Sequence, residues 1–151
     1  MLIVQRPAEM KDHVGQVLGH SEWVTIDQAM INKFAEATLD HQWIHVDVAR
    51  AAKEMPGGKT IAHGFLTLSL VAGMADQVHR IEKRSRGINY GLNKVRFTAP
   101  VPSGSRVRLV QKLLKVEDID GGVRLTYENQ MEIEGQSRPA LVAESMALAY
   151  D

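Results

Sequence analysis

From His63 to about Ile81 the chain carries Phe65, Leu66, Leu68, Leu70, Val71, Met74 and Val78, with the small Ala72, Gly73 and Ala75 between them. Apolar side chains at this spacing predict a helix. Because they fall on nearly every side, the helix is expected to be buried, with no face for solvent. The rest of the chain must therefore enclose it. Basic Arg80, Lys83 and Arg84 near its end suit the helix dipole. The run is broken by His63, Thr67 and Ser69 and is too short to cross a bilayer, so no membrane is expected as a partner.

The C-terminal half predicts the wrapping. After Gly87 the pattern changes to strands: Asn89–Phe97, Arg106–Val116, Val123–Glu134 and Ala140–Tyr150. Val123, Leu125, Tyr127, Met131 and Ile133 alternate on one face, and Val107, Leu109 and Leu113 do so on another strand. Asp120-Gly121-Gly122 is a hairpin signal. Before the long helix, Trp23–Ile26 reads as a short strand. Asp27 caps a helix reaching about Thr38, and Asp47 caps a short one from Val48 to about Lys53, which Pro56-Gly57-Gly58 ends. Residues 1–20 show little pattern. Helices first and a meander of strands after, without strand–helix–strand alternation, predict an α+β fold in one domain, residues 1–151. Its antiparallel sheet should curl around the apolar helix.

Composition narrows the function. The 18 Lys plus Arg balance the 18 Asp plus Glu, giving no electrostatic case for nucleic acid. The absence of cysteine removes disulfides, thiolate nucleophiles and thiolate metal sites, and fits a reducing cytoplasm. The N-terminus lacks the basic start and apolar run of a signal peptide, so a soluble cytoplasmic protein is expected.

Chemistry concentrates between Asp40 and Leu70. Asp40 and His45 sit five positions apart in a polar break between helical patterns. A carboxylate beside an imidazole can hold a water, remove its proton and return a proton to a neighbouring carbon. The same two residues could instead cap a turn and pack in the interior. Gly64 stands at the head of the apolar helix, where first-turn N–H groups lack partners and negative charge is favoured. A glycine there admits a carbonyl oxygen, or merely lets the helix pack closely. His41, His45 and His63 as a metal site lack visible support, and no metal is expected. Lys94, Arg96, Arg106 and Arg108 alternate near strand ends, where solvated sheet-face charge is the commoner reading and coenzyme A phosphates the alternative.

The runs DHQWIHVD, GGKTIAHGFLTLSL and GLNKVRFTAPVPSGSRV, in that order, resemble the MaoC-like dehydratase family, which includes R-specific enoyl-CoA hydratases and NodN-like proteins. The resemblance covers roughly Phe34 to Val107 by motif. It implies a hot-dog fold paired as a homodimer. It also implies that Asp40 and His45 take the places of the family's hydratase pair and Gly64 that of its oxyanion-hole glycine. The substrate implied is a trans-2-enoyl-CoA thioester, hydrated to the (R)-3-hydroxyacyl-CoA without a cofactor. A hot-dog thioesterase and a catalytically silent acyl-thioester binder are the competing readings. Hydratases of this type read G-D-x-N-P-x-H, whereas Gln42-Trp43 replaces Asn-Pro here, as in NodN-like members. Trp43 is expected to pack beneath the loop or to shape an acyl pocket. Ala72 stands where some members carry a serine, and Ser69 is expected to bond its own helix backbone.

Overall fold

The computed structural model describes Met1–Asp151. The weakly patterned N-terminus is structured: Leu2–Val4 (β1), a 3-10 turn over Pro7–His13 that buries Met10, and Val17–His20 (β2). Val24–Ile26 (β3) leads into Gln28–Thr38 (α1), where the Asp27 carboxylate accepts the Met30 N–H at 2.8 Å. Leu39, at a left-handed φ of 65°, ends α1. Two short helices come next, Trp43–Val46 (α2) and Val48–Glu54 (α3), the second capped by Asp47 through the Arg50 N–H at 2.9 Å. A turn at Pro56–Gly58 then feeds Gly64–Val78 (α4).

The long helix is shorter than its sequence pattern predicts. It stops at Val78, and His79–Ile81 becomes a strand (β4) paired in parallel with β1. The physical reason lies in burial: His79 and Ile81 are covered while Arg80 is exposed, a period of two that a helix cannot satisfy. Arg80, beyond the helix, pairs with Glu82 at 3.2 Å rather than meeting a helix end.

Arg86–Phe97 (β5), Ser105–Ile119 (β6), Gly122–Ile133 (β7) and Leu141–Tyr150 (β8) complete an antiparallel sheet in the order β2-β6-β7-β8-β5, with β3 also on β6. Every strand predicted after Gly87 is present, and β6 runs on to Ile119 past a register shift between Leu113 and Lys115. Val107, Leu109, Leu113, Leu125, Tyr127, Met131 and Leu141 line the inner face and meet Leu66, Val71, Met74 and Val78 of α4 in one core. This is the hot-dog fold, a sheet wrapped around a central helix.

In one respect the helix departs from expectation. Only its Leu66–Val78 stripe is buried, while Phe65, Ala72 and Gly73 are open. Alongside them β5, the edge strand, is exposed nearly throughout, with Ile88, Tyr90, Leu92 and Phe97 among its open side chains. Apolar residues all round α4 therefore do not imply burial by this chain alone.

Leu109→Ala removes a side chain that is 0% exposed and should destabilise the fold by about 2–5 kcal/mol, whereas Val142→Ala on the outer face should change stability by less than about 1 kcal/mol. Urea denaturation of the two variants measures both.

Candidate active site

Three segments far apart in sequence meet at the start of α4, and side-chain hydrogen bonds tie them. Gln28 of α1 donates from Nε2 to the His45 carbonyl at 2.7 Å, and its Oε1 accepts the Thr60 hydroxyl at 2.5 Å. Ile61 N–H donates to the Ile44 carbonyl at 3.1 Å, and Ala62 N–H to the Val101 carbonyl at 2.8 Å. The loop after α1 is thereby clamped against the strand-like run that enters α4.

His45 is buried and its Nδ1 lies 2.7 Å from the Ile61 carbonyl oxygen. A carbonyl only accepts, so Nδ1 carries the proton and Nε2 is left with a free lone pair. Burial pushes the imidazole below its ordinary value of 6.5; the Ile61 carbonyl opposes this, the neighbouring His63 ring adds to it, and Asp40 opposes it more weakly. His45 is thus held neutral and able to take a proton at neutral pH.

His63 immediately precedes α4, and its role here has no signal in the sequence beyond its place at the helix head. Its ring is 2% exposed and stacks on His45 with centroids 3.8 Å apart and planes inclined at 24°. Its Nε2–H donates to the Asp40 carbonyl oxygen at 2.9 Å, which fixes the loop backbone, and the Asp40 carboxylate stands 4.0 Å from the same nitrogen. Asp40 also accepts the Gln42 N–H at 3.3 Å, a local turn. Its side chain remains 52% exposed. Polar atoms of Asp40, His45 and His63 lie within 4.8 Å of one another. His41, the third histidine of the sequence-derived metal set, is exposed and outside this cluster.

Gly64 is the first residue of α4, so no intrahelical carbonyl reaches its N–H. A Cβ there would meet the Phe97 ring at 2.9 Å, so the glycine does serve close packing. It also faces a cavity of about 280 Å³, shared with His45, Thr67, Phe97, Val101 and Ala140. Asp40 does not line that cavity; its carboxylate stands beside it, within reach of His45. The arrangement sets a proton acceptor and a helix-start donor on one cavity, with a carboxylate near the acceptor.

Trp43 does not line this cavity; the Arg50 guanidinium lies 3.9 Å over its ring, so the indole packs on α3. Ser69 donates to the Phe65 carbonyl at 2.7 Å, as its place in a helix predicts. Arg106 and Arg108 pair with Glu134 and Glu132 at 3.0 and 2.5 Å, the solvated sheet-face reading.

Comparison with known proteins points the same way. The family model described as "MaoC like domain" matches residues 9–133. The 3-hydroxyacyl-thioester dehydratase Z of Mycobacterium tuberculosis is 51% identical over 140 residues, 92% of each chain. Nodulation protein N of Rhizobium leguminosarum is 50% identical over 139 residues, covering 90% of this chain and 86% of that one. Among solved structures, the (R)-hydratase from A. caviae involved in PHA biosynthesis superposes with a TM-score of 0.72 at 23% identity, over 89% of this chain and 94% of that one. A family model spanning most of the sequence and relatives half identical along nearly all of it make the assignment, and the chain belongs to the MaoC-like family.

Proposed function

We propose that the protein adds water reversibly across the double bond of trans-2-enoyl-CoA thioesters, giving (R)-3-hydroxyacyl-CoA, with Asp40, His45 and Gly64 as its catalytic groups and no cofactor. One observation carries the reading: buried His45, with Nε2 unprotonated, and Gly64, with its N–H free at the start of α4, line one cavity, and the Asp40 carboxylate lies within 4.8 Å of the His45 ring. The hydratase and dehydratase relatives support the reaction class.

In this scheme water sits between Asp40 and His45. Its oxygen bonds to the β-carbon while His45 Nε2 takes a proton, and the electrons of the double bond move onto the thioester oxygen as an enolate. The Gly64 N–H holds that oxygen, and one such donor is worth about 2.7–4 kcal/mol in the transition state. The Asp40/His45 pair then returns a proton to the α-carbon, so the net change is the addition of one water. In this scheme His63 is given no contact with a reacting atom. It is a positioning residue that fixes the Asp40 backbone and supports the His45 ring.

A second copy of the chain is proposed as partner. β5 pairs only with β8, leaving a 12-residue edge unpaired, and Ile88, Tyr90, Leu92 and Phe97 lie exposed along it. An open apolar edge strand of this length is an aggregation hazard unless covered. Two-fold pairing of β5 with its copy covers it and leaves no edge there.

Incubation with crotonyl-CoA should abolish the conjugated enone absorbance without releasing thiol. Thiol release would mark a thioesterase, and binding without turnover a silent binder. Asp40→Asn should fold normally and lose at least about 10²-fold in hydration, and near-normal turnover in that variant would remove Asp40 from the scheme.

Because burial depresses the His45 pKa, kcat/KM should stay level on acidification through 6.5 and fall only below it. Stability moves in the same direction: below 6.5 the unfolded imidazole binds a proton that the folded one refuses, so the fold weakens as pH drops through that region. pH–rate profiles and denaturation across the same range check both.

Leu92→Asp places a charge in the middle of the exposed β5 edge and should yield monomers in sedimentation equilibrium where the wild type sediments as a dimer. Identical sedimentation of the two proteins would place the contact elsewhere.

A further inference from the structure

His45 is the third of four residues in α2, a single turn too short to be stable by itself. Its carbonyl stands too near the end of that turn to meet an N–H of its own helix. The Gln28 side chain of α1 supplies a donor instead, at 2.7 Å. Gln28 is the first residue of α1, between the buried Ile26 and Ile31, and follows directly on the Asp27 cap. Ile26 in turn belongs to β3, which is paired with β6. The anchor on His45 is therefore rooted in the sheet and not in the loop.

Both N–H groups and the oxygen of the Gln28 amide are in use. Nε2 donates to the His45 carbonyl and, at 2.9 Å, to Asn32 Oδ1, while Oε1 accepts the Thr60 hydroxyl at 2.5 Å. A carbonyl oxygen only accepts, so turning the amide over would set two oxygens against each other. With Oε1 thus facing Thr60, the hydroxyl must be the donor. Thr60 is 2% exposed.

Thr60 immediately precedes Ile61, whose carbonyl keeps the proton of His45 on Nδ1. The bonds close a circuit: the amide to the His45 backbone, the His45 ring to the Ile61 carbonyl, and the Thr60 hydroxyl back to the amide. One side chain thus fixes both the place of the His45 backbone and the place of the carbonyl that holds its ring. The two segments are also joined by backbone bonds, Ile61 N–H to Ile44, Ala62 N–H to Val101 and Ser103 N–H to the Thr60 carbonyl. Neither the Gln28 amide nor the Thr60 hydroxyl takes part in those, so the fold does not depend on the circuit. Neither residue lines the cavity.

We propose that Gln28 and Thr60 are positioning residues for proton transfer at His45: through this circuit they fix the Nδ1–H tautomer and the angle at which Nε2 meets the water, and so act on turnover and not on substrate binding. This role rests on the hydratase reading of His45. A ring held by one hydrogen bond pivots about it, whereas a ring whose backbone and partner are tied to the same amide does not. Small displacements matter because a misplacement of about 1 Å costs about 10²-fold in rate.

The test combines steady-state hydration of crotonyl-CoA with the ring-nitrogen resonances of His45, which report its tautomer. Valine matches threonine in shape and lacks only the hydroxyl. Thr60→Val should lower kcat at least about tenfold, keep KM within about twofold, and populate the Nε2–H tautomer of His45. Thr60→Ser keeps the donor and should recover most of the lost kcat together with the Nδ1–H tautomer. Gln28→Met should lose at least as much as Thr60→Val, and the double variant should be no slower than Gln28→Met alone, since both side chains act through one circuit. Should Gln28→Met not fold, the two threonine variants decide. Equal losses in Thr60→Val and Thr60→Ser, a loss confined to KM, or an unchanged tautomer in Thr60→Val overturns the proposal. A wild type that hydrates nothing, while Thr60→Val still changes the tautomer, overturns the hydratase reading and leaves the hold of the circuit on the ring standing.

Discussion

Two hydrogen bonds from imidazole to backbone carbonyl, His45 Nδ1 to Ile61 and His63 Nε2 to Asp40, govern the rest of the site. Each joins the loop after α1 to the segment that begins α4, and they do so in opposite directions, one ring from each side reaching across. Because a carbonyl oxygen only accepts, both bonds also settle which ring nitrogen holds its proton. That choice leaves the lone pair of His45, a residue that lines the cavity, on Nε2, and the two rings lie face to face at 3.8 Å. The tautomer of each ring is thus fixed by backbone geometry before any ligand arrives, which is the sense in which a site is preorganised.

Much of this is readable from residues alone. The Asp27 and Asp47 caps, the four long strands and the inner-face rows of β6 and β7 arise from local chemistry that the fold leaves intact. The meeting of Asp40, His45 and the head of α4 is legible through three ordered motifs, since neither spacing nor residue type alone distinguishes them from ordinary loop and packing residues. The replacement of Asn-Pro by Gln42-Trp43 leaves the loop able to form a helical turn at Trp43, with its indole held under Arg50 rather than in the cavity.

The features that escape the sequence depend on contacts between distant segments. β1 has only three residues, and its partner β4 reads in sequence as the tail of a helix; the pairing exists because Leu2–Val4 lies beside His79–Ile81 in space. The supporting bonds of Gln28 and Thr60 are separated by 32 positions and involve residue types found on any surface. In sequence His63 is only a possible ligand and the residue before a helix. Its function as the clamp on Asp40 requires knowing that the loop returns over it.

The apolar pattern of α4 has a meaning that differs from simple enclosure. A helix wrapped by a six-stranded sheet needs one apolar stripe, and Leu66, Val71, Met74 and Val78 provide it. Ala72 and Gly73 lie off that stripe and are exposed, as is Phe65 on the side away from the Phe97 ring of β5, 5.6 Å from it. Exposed apolar area on a helix beside an exposed apolar edge strand gains nothing for the isolated fold, because its transfer from water at about 25 cal/mol per Å² is realised only on contact with something else. On the proposed reading, the sequence pattern records the sum of two demands on one helix: a core and a neighbouring copy. Hydrophobic periodicity adds these together, and only the coordinates assign each side chain to its demand.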